Sequence, residues 1–258
     1  MSSPDVMPTP AAGSGRHRIT FATSRSLAYL SVLELGKLWE RTLRRGCVPL
    51  KYSQGFSPRP RMHFAAPLPV GCGCGADLLD LSLDEPWTSQ ALRDAIAGVT
   101  PQNLVVLDVT AVDIRATSLS DLLQEAEYSV WLQQVDEAEL AETVAAFLEK
   151  DEILMPKRGR KYRGKFYDLR PLVKSLTLDP ATPSPWLGLR MRVMARPGAT
   201  GRPDEVLRAL GLADRPRRST RTRLILDTDE PAAVAASSED KENSLAMRAL
   251  LQPQRAPR

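Results

Sequence analysis

The stretch HRITFATSRSLAYLSVLELGKLWERTLRRGCVPLKYS, His17 to Ser53, decides how the chain folds. It opens with alternation: Ile19 and Phe21 stand between Arg18, Thr20 and Ala22, the pattern of a half-buried strand. From Ser26 to Arg45 the period changes to three or four. Ala28, Val32, Leu35, Trp39 and Leu43 share one face of a helix, and Lys37, Glu40, Arg41, Arg44 and Arg45 fall mostly elsewhere. Gly46 supplies a C-terminal stop, and VPLKYS, Val48 to Ser53, follows as a second strand.

Working outward, DLLDLSL, Asp77 to Leu83, sets Leu79, Leu81 and Leu83 against Asp80 and Ser82 as a third strand. Thr88 caps a helix that runs to Gly98, and NLVVLDVTAVD, Asn103 to Asp113, is a fourth strand. The order β-α-β-β-α-β predicts a ferredoxin-like unit, two helices over a four-stranded antiparallel sheet. The same order follows again. AEYSVWL is a strand, and Asp136 with Glu139 signals a capped helix whose inner face carries Leu140, Val144, Phe147 and Leu148. EILMPKR is a strand, KFYDLRPLVKSLTLD has room for one or two more, and WLGLRMRVMAR alternates. Pro203 and Gly211 bracket a short helix before the strand TRTRLILD. The expected class is therefore α+β: two tandem ferredoxin-like (βαββαβ) halves over 16–117 and 118–228, the second elaborated. A disordered leader (1–15) and tail (229–258) flank them.

Composition narrows the function classes. Apolar residues at 43% and charged residues at 26% are those of a globular chain, and no run of about 18 apolar residues offers a membrane span. The first residues, MSSPDVMPTPAAGSG, lack the basic and apolar regions of a signal peptide, so a cytoplasmic location is expected. Cys47, Cys72 and Cys74 are an odd number of cysteines, read as reduced thiols. With His63 they number four conceivable zinc ligands, but C-x-C falls short of the usual C-x₂₋₄-C spacing, so no metal is assigned. No cofactor is expected. His17 and His63 are the only histidines, and neither adjoins a nucleophile.

The net charge of +4 is modest but unevenly placed. Leu119 to Glu149 carries eight acids and no Lys or Arg, whereas KRGRKYRGK, Lys157 to Lys165, has six bases and no acid. Such a tract attracts polyanions, and Tyr162 within it can stack on a base. The bland alternative is a solvated loop. Arg190 and Arg192, with Arg221 and Arg223, extend the cationic stripe if their strands are neighbours. The second concentration of signal is SQGFSPRPR, Ser53 to Arg61. Gly55 admits unusual backbone geometry, Pro58 and Pro60 stiffen the segment, and Arg59 with Arg61 can act as paired guanidinium prongs for phosphate or carboxylate. Tyr52, Gln54 and Phe56 stand beside them; the alternative is a crossover whose arginines hold backbone carbonyls. In DLRP, Asp168 and Arg170 read as a buried ion pair bracing the two halves or as a site carboxylate.

The stretch from RITFAT through YSQGFSPRPRMHFAAPLPVG, together with KFYDLRPLVKSL, resembles the radical SAM-linked domain family, domain of unknown function 2344, over roughly His17 to Asp227. The chain differs from that family's pattern in having Val32 and Glu34 where a histidine and an aspartate are usual, and Ser57 where a histidine is common. The resemblance implies a separate radical SAM protein as partner and RNA-related chemistry. No C-x₃-C-x₂-C run is present to hold that chemistry's own cluster. The reading is a non-enzymatic accessory protein binding RNA or a phosphate ligand. Its alternative is an enzyme acting on RNA or nucleotides with Asp168 or Glu34 in the chemistry.

Overall fold

The computed structural model describes residues 14–227. The expected disordered leader and tail fall almost wholly on 1–13 and 228–258, outside the described residues. The described chain is α+β, mainly sheet, with five α-helices, none long and apolar enough to cross a membrane.

In the first half, β1 (Ser14–Thr23) pairs antiparallel with both β3 (Cys72–Trp87) and β4 (Leu104–Ala111). Helices α1 (Val32–Arg45) and α2 (Ser89–Ala97) bury Leu35, Trp39, Leu43, Leu92 and Ile96 against Ile19, Phe21, Leu79 and Leu81. Phe21 meets Trp39 edge-on, ring centroids 5.2 Å apart, and Phe64 at 6.1 Å. These offset contacts add to the area buried. The helix expected from Ser26 begins instead at Val32. Ser31 Oγ accepts the Glu34 amide while the Glu34 carboxylate takes the Ser31 amide at 2.8 Å, a closed capping box that sets the first turn. Residues Arg25–Leu27 form only a 3₁₀ turn. Gly46 ends the helix with φ −77°, and the left-handed residue is Cys47 at φ 51°. Glycine is needed at 46 for space: a Cβ there would lie 2.6 Å from the Ala95 carbonyl oxygen.

The second strand differs most from expectation. Leu50 bridges Leu83 and the Lys51 amide reaches the Ser82 carbonyl at 2.9 Å, but the chain then leaves the sheet. It returns at Arg61, whose amide donates to the Lys51 carbonyl at 2.8 Å, and only then forms β2 (Met62–Phe64), pairing with Leu79–Leu81 of β3. Val48–Ser53 is therefore not a continuous strand. One edge strand is interrupted by an excursion from Tyr52 to Pro60, where Pro58 and Pro60 have no N–H to give a sheet ladder.

In the second half, a short α3 (Leu119–Leu122) leads into β5 (Leu123–Leu132), then α4 (Glu137–Leu148). Asp136 caps α4 by accepting the Ala138 and Glu139 amides. Leu140, Val144 and Phe147 are buried, but Leu148, expected on the same face, is exposed in the last turn. The EILMPKR segment contributes only β6 (Leu154–Pro156), which pairs off the main sheet with β7 (Phe166–Asp168). Then come β8 (Val173–Asp179), β9 (Leu187–Arg196), β10 (Ala199–Thr200), α5 (Pro203–Ala209) and β11 (Arg217–Leu226).

A single nine-stranded sheet runs through both halves in the order β10-β9-β5-β11-β3-β1-β4, with β2 also on β3 and β8 on β9. Each half carries the same antiparallel order, β4-β1-β3-β2 in the first and β11-β5-β9-β8 in the second. The halves join where Ser219–Arg221 of β11 lie parallel to Cys72–Cys74 of β3. Beyond Cys74 the β3 edge passes to β2, so the sheet forks. At the fork Arg221 is buried, donating to both oxygens of Asp77 and to the carbonyls of Ala66 and Pro67.

Candidate functional site

The excursion Tyr52–Pro60 stands out from the edge of the sheet as a pinned loop. Its ends are tied by a bridge between Tyr52 and Pro60 and by the Ser53 amide donating to the Arg59 carbonyl at 2.8 Å. Ser53 Oγ accepts the Arg59 amide at 3.0 Å, and Gly55 takes φ 141°, a geometry that side chains resist. The loop thus holds its shape through backbone contacts and leaves its side chains outward. Gln54, Phe56, Arg59 and Arg61 are all exposed, Phe56 fully so, and Tyr52 is 37% exposed. Neither Arg59 nor Arg61 meets a carboxylate or a backbone carbonyl through its guanidinium among the described residues. Their donors face solvent on either side of Pro60.

The basic tract caps the β6–β7 hairpin. The Lys157 amide donates to the Lys165 carbonyl at 2.8 Å, Arg160–Tyr162 form a 3₁₀ turn, and Gly159 and Gly164 take φ 104° and 77° at the bends. Lys161 Nζ lies 5.8 Å from the Tyr162 ring centroid, and the ring is 40% exposed. Arg158 is set apart from its neighbours: it pairs with Glu205, a buried carboxylate on α5 that also takes Arg208 at 3.1 Å. Burial, and then Glu205 itself, raise the pKa of the adjacent Tyr167 phenol. Lys157, Arg160, Lys161, Arg163 and Lys165 have no carboxylate partner among the described residues.

The expected stripe across the sheet is mostly compensated. Arg190 pairs with Asp179 at 2.8 Å and Arg192 with Glu125, and Arg221 is withdrawn into the core. Arg223 is exposed opposite Glu127. β5 lies between β9 and β11, so the strands that carry these arginines are not neighbours, and acids from β5 and β8 balance Arg192 and Arg190. The loop projects from β2–β3 in the first half and the tract from β6–β7 in the second. No hydrogen bond or ion pair joins the two among the described residues.

Asp168 and Arg170 do not pair with each other. Asp168 Oδ1 accepts the amides of Ile153 at 2.8 Å and Arg170 at 3.0 Å, while the Arg170 guanidinium donates to the carbonyls of Val173 and Leu148. The motif ties the end of α4, β6 and the start of β8 together inside the second half, because both side chains are spent on local backbone groups. The ion pair that does brace the two halves is Arg221–Asp77, which the sequence reading missed. Glu34 is likewise committed: its bonds to the Ser31 amide and then the Ser31 hydroxyl hold its pKa below the ordinary carboxylate value.

Among the cysteines, Cys47 is exposed and Cys72 and Cys74 are buried, all three as free thiols. Burial pushes the Cys72 thiol up to about 12 and raises Cys74 as well. Both are protonated and poor nucleophiles at neutral pH. No cluster of three His, Cys, Asp or Glu side chains capable of holding a metal occurs among the described residues. His17 is buried in the first half, and its pKa is lowered chiefly by that burial.

Comparison with known proteins places the chain in a family without placing a function on it. Residues 16–203 match the model of a family described as an uncharacterized protein conserved in bacteria, DUF2344, and the chain belongs to that family. No curated protein matches it. Among solved structures it is similar to a chain from a Cbf5-Nop10-Gar1 complex, with a TM-score of 0.46 and 13% identity. That similarity covers 81% of this chain and 48% of the other, so the chain spans about half the length of that relative.

Proposed function

We propose that this member of the uncharacterized bacterial family is a non-enzymatic accessory protein that binds RNA or another phosphate-rich ligand and works beside a separate radical SAM protein. Its two halves are read as ferredoxin-like units sharing one sheet, the first contributing the Tyr52–Arg61 loop and the second the Lys157–Lys165 hairpin.

The observation that carries this reading is a contrast in charge compensation. Arg158, Arg190, Arg192 and Arg221 each have a carboxylate partner, whereas Arg59, Arg61 and the other five cations of the hairpin have none among the described residues. Uncompensated cations beside exposed Phe56, Tyr52 and Tyr162 suit a backbone-neutralising, base-stacking mode of binding. An enzymatic role finds less support. Asp168 and Glu34, the carboxylates that would serve it, are held by backbone amides.

Fluorescence anisotropy of a labelled single-stranded RNA across salt concentrations tests the proposal. About five phosphate contacts give a log–log slope of about −3.5, so affinity falls roughly a hundredfold between about 50 and 200 mM salt. A flat salt dependence, or no binding at low salt, would exclude it.

A further inference from the structure

Where β3 and β11 meet, a small cleft opens, lined by no residue of the Tyr52–Arg61 loop or the Lys157–Lys165 hairpin. Its walls include Arg25 just past β1, Gly73 of β3, Ser129 and Trp131 of β5, and Arg218 and Thr220 of β11. We infer that this cleft binds a phosphate group, gripped between Arg25 and Arg218.

Charge is the first argument. Neighbouring arginines on these strands are neutralised: Arg16 and Arg18 share Asp80, Arg217 meets Asp204, and Arg190 and Arg192 have their own acids. Arg25 and Arg218 have no carboxylate partner among the described residues, yet both line one cleft. Burial lowers the pKa of Arg218, and the positive charge of Arg25 lowers it further, so the two repel across the gap. An anion between them relieves that repulsion.

Geometry is the second. The Arg218 guanidinium lies over the Trp186 ring, 4.4 Å from its centroid. Stacking fixes the plane of the fork and leaves its edge N–H groups free to meet two oxygens of one phosphate. The hydroxyls of Ser129 and Thr220 line the same cleft and have no hydrogen-bond partner among the described residues, so they can donate to the remaining oxygens. A Cβ at Gly73 would lie 3.6 Å from Thr220 Oγ1, so any larger residue there would begin to fill the floor. Such a group can be free phosphate or the terminal phosphate of an RNA strand; the chemistry of the grip is the same for both.

The inference is independent of the loop and the hairpin, and its test keeps it so. Calorimetry in phosphate-free buffer uses the full chain with inorganic phosphate and with two short oligoribonucleotides of one sequence, one 5′-phosphorylated and one 5′-hydroxyl. Arg25→Gln and Arg218→Gln should each weaken the phosphate-bearing probe by about tenfold or more, the loss of one charge-assisted grip. Arg93→Gln, at an arginine already paired with Asp108, should leave inorganic phosphate binding unchanged. Preference for the phosphorylated strand over both other probes identifies a strand end; equal binding of the two strands, with inorganic phosphate bound, identifies the free ion. Arg25 is exposed, so Arg25→Gln carries the test if Arg218→Gln fails to fold. Absence of phosphate-dependent binding at millimolar concentration, or binding unaffected by both Gln variants, overturns the inference.

Discussion

Arg221 donates from Nε to Asp77 Oδ1 at 2.8 Å and from Nη2 to Asp77 Oδ2 at 2.7 Å, a two-pronged ion pair between strands of different halves. Both side chains are almost wholly buried, and the remaining guanidinium hydrogens reach the Ala66 and Pro67 carbonyls at 3.1 Å. The pair fills the fork where β11 parts from β3, satisfying the carbonyls of a loop that has no strand beside it.

Removing one partner leaves a buried charge alone. Arg221→Met or Asp77→Leu is expected to destabilise the chain by about 3–5 kcal/mol, whereas the double replacement costs much less because no isolated charge remains. Urea denaturation of the two single variants and the double variant measures this. Single variants as stable as the parent would show that the pair does not hold the fork.

The loop side chains make few packing contacts, so Arg59→Ala/Arg61→Ala should leave stability within about 0.5 kcal/mol of the parent. RNA affinity should nonetheless fall, and Phe56→Ala should cost a further loss of about 1–3 kcal/mol if its ring stacks on a base. Parallel thermal melts and anisotropy titrations separate the two effects. Unfolding of the arginine variant would assign the loop a structural role instead.

Within the hairpin, Arg158 should behave unlike its neighbours. Replacing Lys161 or Arg163 by Gln should flatten the salt slope of RNA binding by about 0.7 per residue. Arg158→Ala, in contrast, should lower stability more than RNA affinity, because it strips one partner from the buried Glu205. Equal behaviour of all the hairpin variants would contradict this division.

The thiols yield a count and a pH window. A thiol reagent at pH 8 should label Cys47 rapidly and reach Cys72 and Cys74 only after denaturation. The folded-state pKa of Cys72 lies above its ordinary 9.0, at about 12, so the folded state keeps a proton that the unfolded chain loses. Stability conferred by that difference is intact below about 9 and declines as pH rises toward 12. A Cys72→Ser variant should show a shallower decline over this window in denaturation series at fixed ionic strength. Rapid native labelling of all three thiols would show that the fork opens readily.

Elements announced by local chemistry were legible in the sequence. Thr88 and Asp136 accept the amides they were expected to cap, and Gly211 past α5 takes φ 74°. What escaped depends on distant partners. The helix start is the local exception: the apolar spacing reaches back to Ala28, which is buried yet lies outside the helix, and the Ser31–Glu34 capping box that sets the first turn forms no part of that spacing. The split edge strand depends on Lys51 and Arg61 both finding Ser82, a pairing that nothing near either residue announces. Arg221 stands two residues from Arg223 and so reads as part of the same cationic stripe; the bulge between them on β11 leaves no trace in the sequence. The available signal was Asp77, in phase with Leu79, Leu81 and Leu83 and therefore a buried acid in want of a base. For the candidate site, the loop and hairpin were legible as exposed cationic segments. The acids opposite Arg190 and Arg192, and the cleft at Arg25 and Arg218, required strand register to see.

In the function proposed, the loop and the hairpin engage one phosphate-rich ligand. Ultraviolet crosslinking of a single-stranded RNA to the full chain, with the adducts mapped by mass spectrometry, tests it most directly. Adducts are expected at Tyr52 or Phe56 and at Tyr162 on the same RNA, both suppressed as salt rises. Adducts confined to one segment, or absent from both at low salt, would contradict it.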